Sequence, residues 1–317
     1  PTGDAVQTEQ DTTYPTQSTY GCVGGGPCFY DSGQQGSTNV IPPLGFAPLT
    51  SRFEVFKRNL TRQLAPGGGG VPRFNYLTVP NNHTNGATNG TNTPSALVAD
   101  NDLAVGQIVD LISHSSIWAE SAIFVVEDDT QAGADSVDAH RMPALVLSPW
   151  ARGGLTTTRY DQYSFLRTAM SIAGLKPLSL NDALATPLYD VFANGETPPN
   201  LAPYDAIQPQ QNLGARNGAP ATPVARSIAR LSDALPYERQ DVVPQTITDR
   251  IIWQSVYGAA RPAPGPGPNA SPLEIERAND VMKVYRDGGD VDAWLAGHPG
   301  EEAEEEREEA EEREPGE

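Results

Sequence analysis

A short, continuous β-branched run followed at once by acidic residues constrains this chain more than any other feature. Residues 122–126 (AIFVV) are apolar throughout, which is typical of a strand buried on both faces of a sheet. Glu127, Asp128 and Asp129 follow without a break. Burying carboxylates at the end of a strand costs free energy unless they bind a cation or are hydrogen-bonded in a network. The pattern therefore indicates either a cation site or acids that cap a loop in water.

The segments around this run alternate between helix and strand patterns. Apolar spacing and β-type composition predict helices over 53–64, 100–113 and 161–173, and strands over 74–79 and 144–147. This order is typical of an α/β fold with a parallel sheet, in which ligands bind beyond the carboxyl ends of the strands. Asn82 and His83 follow the first strand. We therefore expect them to lie near the acidic run.

Charge is unevenly distributed along the chain. The formal net charge is −19, and residues 301–317 contribute −9 of it through eleven Glu against two Arg. A like-charged run predicts a solvated tail that is dispensable for folding. The acidic balance disfavours nucleic acid as a partner, since phosphate binding needs Lys and Arg. No apolar run approaches the length of about 18 residues that predicts a transmembrane helix.

The two cysteines predict a local disulfide. Cys22 and Cys28 are separated by Val-Gly-Gly-Gly-Pro, and the glycines let so short a loop close. Two cysteines are too few for a four-thiolate metal site. Because disulfides persist in oxidising compartments, the expected location is extracytoplasmic or secreted.

The C-terminal third is rich in Pro, Gln and Asn. This composition predicts extended surface chain over 195–245 and a Pro/Gly-rich linker over 259–272. Beyond the linker, apolar spacing predicts two short helices, at 275–285 and 291–295. The predicted organisation has four parts: an irregular N-terminal segment (1–50), a main domain (51–258), a linker with a short helical extension (259–300) and an acidic tail (301–317).

A series of short motifs occurs in a fixed order, most of it between residues 74 and 192. The motifs are Val79–Thr84, Ala99–Asp102, Gly106–Val109, Ile123–Asp129 with Gln131, Gly133 and Asp135, Val137–Arg141, Leu147–Pro149, Ser164–Thr168 and, more weakly, Asp249–Trp253. Together they resemble the C-terminal half of the bacterial phosphoesterases of the alkaline-phosphatase superfamily, which include phospholipase-C-like and acid-phosphatase-like enzymes. The resemblance implies an α/β/α sandwich, incomplete at its N-terminal side, with an irregular C-terminal extension.

The resemblance also implies a metal site and an activity. His83, Asp128 and Asp129 match the metal-ligand positions of the family. The candidate supporting residues are Asn82, Glu127, Asp135, His140 and Arg141. The implied cofactor is a divalent ion, Zn²⁺, Mn²⁺, Ca²⁺ or Mg²⁺. The implied reaction is hydrolysis of a phosphate mono- or diester, in which a metal-activated Ser or Thr hydroxyl attacks phosphorus.

Two positions depart from the pattern of this family. Asn82 stands where the family usually has Asp, and Ser136 stands where it usually has His. The first metal motif and the nucleophile of the family are not found in residues 1–73, so we expect a fragment that lacks the nucleophile. The alternative is a degenerate, non-catalytic module that binds or scaffolds. The substitutions favour this alternative, whereas the retained acidic run and His140 favour the enzyme.

Overall fold

The computed structural model shows a mixed α/β chain and describes residues 7–8, 52–77, 79, 84–127, 141–193, 195, 198–237, 242–258 and 272–298. Within this part there are four short strands and eight α-helices. In chain order they are β1 (Gln7–Thr8), α1 (Arg52–Leu64), β2 (Asn75–Tyr76), α2 (Pro94–Ser113), β3 (Ile123–Val126), β4 (Ala144–Leu147), α3 (Gln162–Ala173), α4 (Leu180–Leu184), α5 (Pro223–Asp233), α6 (Gln245–Tyr257), α7 (Pro272–Arg286) and α8 (Val291–Gly297).

Helices α1 and α2 pack against each other. α1 buries Phe53, Phe56 and Leu60, one face of a helix as the apolar spacing predicts. α2 begins six residues before the predicted start. The reason is local: the Thr93 hydroxyl caps the third helical amide at 3.2 Å, and Pro94 occupies the first position, where no amide needs a partner.

The strands form two separate pairs in the described part of the chain. β1 lies parallel to β2, whereas β3 and β4 are antiparallel, with Val126 opposite Ala144. The antiparallel pair corrects the prediction that the runs 122–126 and 144–147 are parallel, and β2 pairs with β1 rather than with β3. A parallel pair needs a crossover, usually a helix, but β4 begins at the end where β3 stops.

Helix α3 has the boundaries that its sequence predicts. The Asp161 carboxylate accepts from the backbone N–H of Ser164 at 2.8 Å and from its hydroxyl at 2.9 Å. The Ser164 hydroxyl in turn accepts from the backbone N–H of Asp161, so the two residues form a capping box. At the other end, Gly174 has φ of 72°, the left-handed conformation that glycine adopts without strain. None of the helices in the described ranges is long and apolar enough to cross a membrane.

A hydrophobic core joins the last four helices, α5 to α8. Its buried members come from all four helices and from the chain after α5: Leu231, Leu235, Tyr237, Ile247, Ile251, Ala278, Val281, Val291 and Leu295. Helix α5 corrects the prediction that 195–245 is extended throughout. Thr222 caps this helix and Pro223 takes its first position, so a proline that suggested irregular chain marks a helix start instead.

Candidate functional site

The structure describes two of the eight residues predicted for the metal site, Glu127 and Arg141. The other six lie outside the described residues: Asn82, His83, Asp128, Asp129, Asp135 and His140. Cys22 and Cys28 also lie outside them. The structure therefore positions the chain that flanks the predicted ligands, and the grouping of the ligands stays a prediction.

The two flanks of the acidic segment are held together at the start of α3. The backbone N–H of Glu127 donates to the Pro143 carbonyl at 3.3 Å, which continues the β3–β4 ladder by one step. Gln162, the first residue of α3, donates its side-chain amide to the Glu127 carbonyl at 3.1 Å and to the Met142 sulfur at 3.6 Å. The chain thus leaves β3 and returns to β4 at one place, which α3 fixes.

The chain that leads towards His83 is anchored on α2. The side-chain amide of Asn101 donates to the Val79 carbonyl. Asp100, the neighbour of Asn101 on α2, is fully buried. The flank of the first predicted ligand and the flank of the acidic run are therefore positioned by different helices, α2 and α3.

The loop after His83 is fixed by the C-terminal half of the chain. The side-chain amide of Asn217 donates to the Gly86 carbonyl at 3.0 Å and to the Thr91 hydroxyl at 3.1 Å. The backbone N–H of Asn217 donates to the Thr91 carbonyl, and the Asn217 carbonyl accepts from the Gly90 N–H, both at 2.8 Å. No local pattern in the sequence pairs these segments, so sequence reasoning missed Asn217.

Gly86 packs closely against the helical core. Its φ is 60°, and a Cβ atom there would lie 2.8 Å from the Ser232 hydroxyl and 2.9 Å from both Ile251 Cγ2 and the Tyr237 hydroxyl. The next amide, that of Ala87, donates to the Ser232 hydroxyl at 3.0 Å. Only glycine satisfies both the backbone angle and the space.

One group of three potential metal-ligating side chains occurs among the described residues, at the end of α2. His114 Nδ1 lies 3.2 Å from the Asp110 carboxylate, and Nε2 lies 3.5 Å from the Asp205 carboxylate. Asp110 also accepts from the Ala206 amide at 2.8 Å. Both imidazole nitrogens face carboxylates, and the Asp205 side chain is 91% exposed. The group fastens the chain around residue 205 to the end of α2.

A second polar cluster surrounds Asp190. Its carboxylate accepts from the hydroxyls of Thr156 at 3.0 Å, Thr158 at 2.5 Å and Tyr160. The Thr158 and Tyr160 hydrogen bonds hold the pKa of Asp190 below its usual value. Burial and then Asp190 raise the pKa of Tyr160 to about 12. The cluster joins the chain around residues 156–160 to the chain around residue 190.

Asp249 on α6 has a strongly perturbed carboxyl group. Burial, followed by the nearby charge of Glu274 on α7, raises its pKa to about 6. A desolvated carboxyl is unfavourable in its charged form. The α6–α7 contact therefore contains an acid that titrates close to neutral pH.

No family model, curated protein or solved structure matches this chain. The resemblance to phosphoesterases consequently depends on the ordered motifs alone.

Proposed function

We propose that this chain is the C-terminal part of an exported, metal-dependent phosphoesterase that hydrolyses phosphate mono- or diesters. His83, Asp128 and Asp129 hold a divalent ion in this proposal, and no nucleophile is assigned. The observation that carries it is the run Glu127-Asp128-Asp129 directly after β3, followed by His140 at the return to β4.

The chemistry of the donor set supports a divalent cation. Carboxylate oxygens together with an imidazole suit Mg²⁺, Ca²⁺, Mn²⁺ or Zn²⁺. When bound, such an ion lowers the pKa of a hydroxyl or water and neutralises phosphoryl oxygens. Asp128 and Asp129 supply negative charge to the site, and Arg141 supplies a guanidinium that suits a phosphate oxygen.

The anchoring of the flanks also supports the proposal. Gln162 holds the Glu127 end of the segment, and the Glu127–Pro143 bond closes the segment on itself. The segment 127–143, which carries six of the eight proposed residues, therefore starts and ends at one fixed place, and this supports a binding site carried on a rigid scaffold. Asn101 and Asn217 fix the chain before and after His83 in the same way.

A non-catalytic binding module is the second candidate, and two residues favour it. Asn82 replaces an acid with a neutral amide, and Ser136 replaces an imidazole with a hydroxyl. Both changes weaken a metal site, because they remove charge or a nitrogen ligand. The two candidates differ in one property: the enzyme fragment still binds a metal ion, whereas the degenerate module does not.

Calorimetry with Mn²⁺, Zn²⁺, Mg²⁺ and Ca²⁺ tests the proposal on the full chain. We expect one ion to bind, and binding to be lost in the double variant Asp128→Asn with Asp129→Asn. Asp102→Asn is the matched control, because Asp102 is an exposed acid on α2. No binding by the wild-type chain, or equal binding by the double variant, overturns the metal site.

An ester assay on the same preparations separates the remaining cases. With p-nitrophenyl phosphate and its bis-ester, we expect metal binding without turnover, because covalent catalysis needs an activated hydroxyl. Turnover that disappears in Asp128→Asn would mean that this chain contains its own nucleophile or uses a metal-activated water. Asn82→Asp with Ser136→His should raise metal affinity if these positions face the ion.

A further inference from the structure

The histidine at the end of α2 lies between two carboxylates. His114 Nδ1 is 3.0 Å from the Asp110 backbone carbonyl and 3.2 Å from the Asp110 carboxylate, whereas Nε2 faces the Asp205 carboxylate at 3.5 Å. A neutral imidazole carries one N–H and one lone pair. Because Nδ1 is close to two acceptors on Asp110, these contacts assign the N–H to Nδ1. The Nε2 lone pair then points at a carboxylate, and a cation between the two removes their repulsion.

The distance between Nε2 and Asp205 suits a metal ion better than a hydrogen bond. Hydrogen bonds from N–H to oxygen have donor–acceptor distances of about 2.7–3.2 Å, which is shorter than the 3.5 Å of this contact. Bonds of about 2.0–2.1 Å to a tetrahedral Zn²⁺ place two ligand atoms roughly 3.3–3.5 Å apart. An ion therefore fits between the imidazole and Asp205 with little movement of either side chain.

The local charge also favours a cation. Asp110 and Asp205 carry two negative charges, and within the described ranges no Lys or Arg forms an ion pair with either carboxylate. The three side chains each offer a ligand atom, and these atoms all lie within 4.8 Å of one another. His114 is thus the one partner that these two acids share among the described residues, and a neutral imidazole does not balance their charge.

The backbone holds Asp205 beside α2, although its side chain is exposed. On one side of it, the Tyr204 N–H donates to the Ser113 hydroxyl at 2.9 Å. On the other side, the Ala206 N–H donates to the Asp110 carboxylate at 2.8 Å. Because both neighbours are fixed, an ion that binds Asp205 does not have to order the chain, and this lowers the entropy cost of binding.

We propose that His114 and Asp205 bind a divalent ion that accepts both nitrogen and oxygen ligands, such as Zn²⁺, as a clip between α2 and the chain around residue 205. Asp110 is a positioning residue: it accepts the Nδ1 hydrogen while Nε2 binds the ion, as is usual for metal-ligating histidines. Water completes the coordination. With two protein ligands, this site is weaker than the three-ligand site of the proposed function and fills only at higher ion concentrations.

Protection of His114 from diethylpyrocarbonate tests this site in the full wild-type chain at pH 7.5. The reagent carbethoxylates an imidazole nitrogen that has a free lone pair, and tandem mass spectrometry reads each of the four histidines separately. The measured quantity is the modification rate with an ion divided by the rate without it. We expect Zn²⁺ to slow modification of His114 roughly fivefold or more, and Mg²⁺, which prefers oxygen ligands, to leave it unchanged. Because His83 and His140 are read independently, failure here is distinct from failure of the phosphoesterase site.

Two substitutions separate the direct ligand from the positioning residue. Asp205→Asn should remove the protection of His114, because it replaces a charged ligand with a neutral one. Asp110→Asn should raise the Zn²⁺ concentration for half protection roughly tenfold, the usual effect of changing a residue that orients a ligand. Asp102→Asn, an exposed acid on the same helix, is the matched control and should behave like the wild type.

Three results would overturn the clip. No slowing in the wild type would mean that the imidazole pairs with the carboxylates without an ion. Equal slowing at His298, an exposed histidine whose Nδ1 also contacts a helix carbonyl, would show that Zn²⁺ binds exposed histidines in general. Full protection in Asp205→Asn would exclude Asp205 as a ligand. An unchanged half-protection concentration in Asp110→Asn would overturn the positioning role alone.

Discussion

Asn217 and Gly86 are joined by a hydrogen bond of 3.0 Å although they are 131 residues apart in sequence. The same side-chain amide also donates to the Thr91 hydroxyl, which is buried. A buried acceptor that loses its donor is unfavourable. The Asn217 side chain therefore adds two hydrogen bonds to the backbone bonds that attach the loop after His83 to the C-terminal half of the protein.

Replacing Asn217 with alanine should weaken the attachment of this loop without abolishing it, because the backbone bonds of residue 217 to Thr91 and Gly90 remain. We expect Asn217→Ala to lower the free energy of unfolding by about 1–3 kcal/mol, since acceptors on Gly86 and Thr91 lose their partner. Urea denaturation followed by circular dichroism measures this change. Asn212→Ala is the control, because Asn212 is exposed and its side chain accepts from the nearby Gly214 amide, within its own turn. An equal loss of unfolding free energy in both variants would contradict a specific contribution from the Asn217 hydrogen bonds.

A pair of glycine variants separates backbone strain from crowding. Gly86 and Gly90 both have positive φ, 60° and 84°, but of the two only Gly86 has other atoms within 4 Å of the point where an added Cβ would lie. Gly90→Ala should cost about 1 kcal/mol from the left-handed conformation alone. Gly86→Ala should cost about 1–3 kcal/mol more, because the methyl group meets Ser232, Tyr237 and Ile251. Equal losses of stability in the two variants, measured by thermal unfolding, would contradict the close contact of Gly86 with Ser232, Tyr237 and Ile251.

Local sequence patterns predicted α1, α3, β3 and β4 to within about one residue at each end, whereas the strand predicted over 74–79 is limited to Asn75–Tyr76 in the described residues. The spacing of Phe53, Phe56 and Leu60 indicated α1, and Gly174 marked the end of α3. The start of α2 was misplaced because Thr93 and Pro94 were not recognised as a cap. The direction of β4 was also wrong, because a four-residue apolar run has the same pattern in a parallel and an antiparallel pair.

The contacts around the candidate site were less predictable, because they join residues far apart in sequence. Gln162 holds Glu127, and Asn217 holds Gly86. Neither pair has a spacing that a periodic pattern reveals. The sequence indicates which residue types suit a metal ion, but the partners that orient the chain appear only once the fold brings them together.

The cysteine prediction can be tested by chemistry alone. We expect Cys22 and Cys28 to be bonded in the oxidised protein, because the glycines between them allow the usual Cα approach of about 4.4–6.8 Å. Thiol titration of the unreduced, denatured chain should find no free thiol, and reduction should release both. Two free thiols before reduction would remove the argument for an exported protein.

The raised pKa of Asp249 makes stability depend on pH in a defined direction. Burial and then Glu274 raise this pKa from 3.8 to about 6. Between these two values the folded state holds a proton that the unfolded state has lost. The free energy of unfolding therefore falls as pH rises through this window, and the loss is complete above the folded pKa.

Asp249→Asn removes the charge and keeps the size of the side chain. We expect the variant to match the wild type near pH 3.5 and to be more stable by about 2 kcal/mol at pH 7.5, since one pKa unit corresponds to about 1.4 kcal/mol and partial contact with solvent reduces the effect. Urea denaturation at pH values from 3.5 to 8 gives both curves. Asp280→Asn, an exposed change on α7, should stay within about 0.5 kcal/mol of the wild type throughout. A less stable Asp249→Asn at pH 7.5 would mean that the ionised carboxylate makes a favourable contact that outweighs its burial.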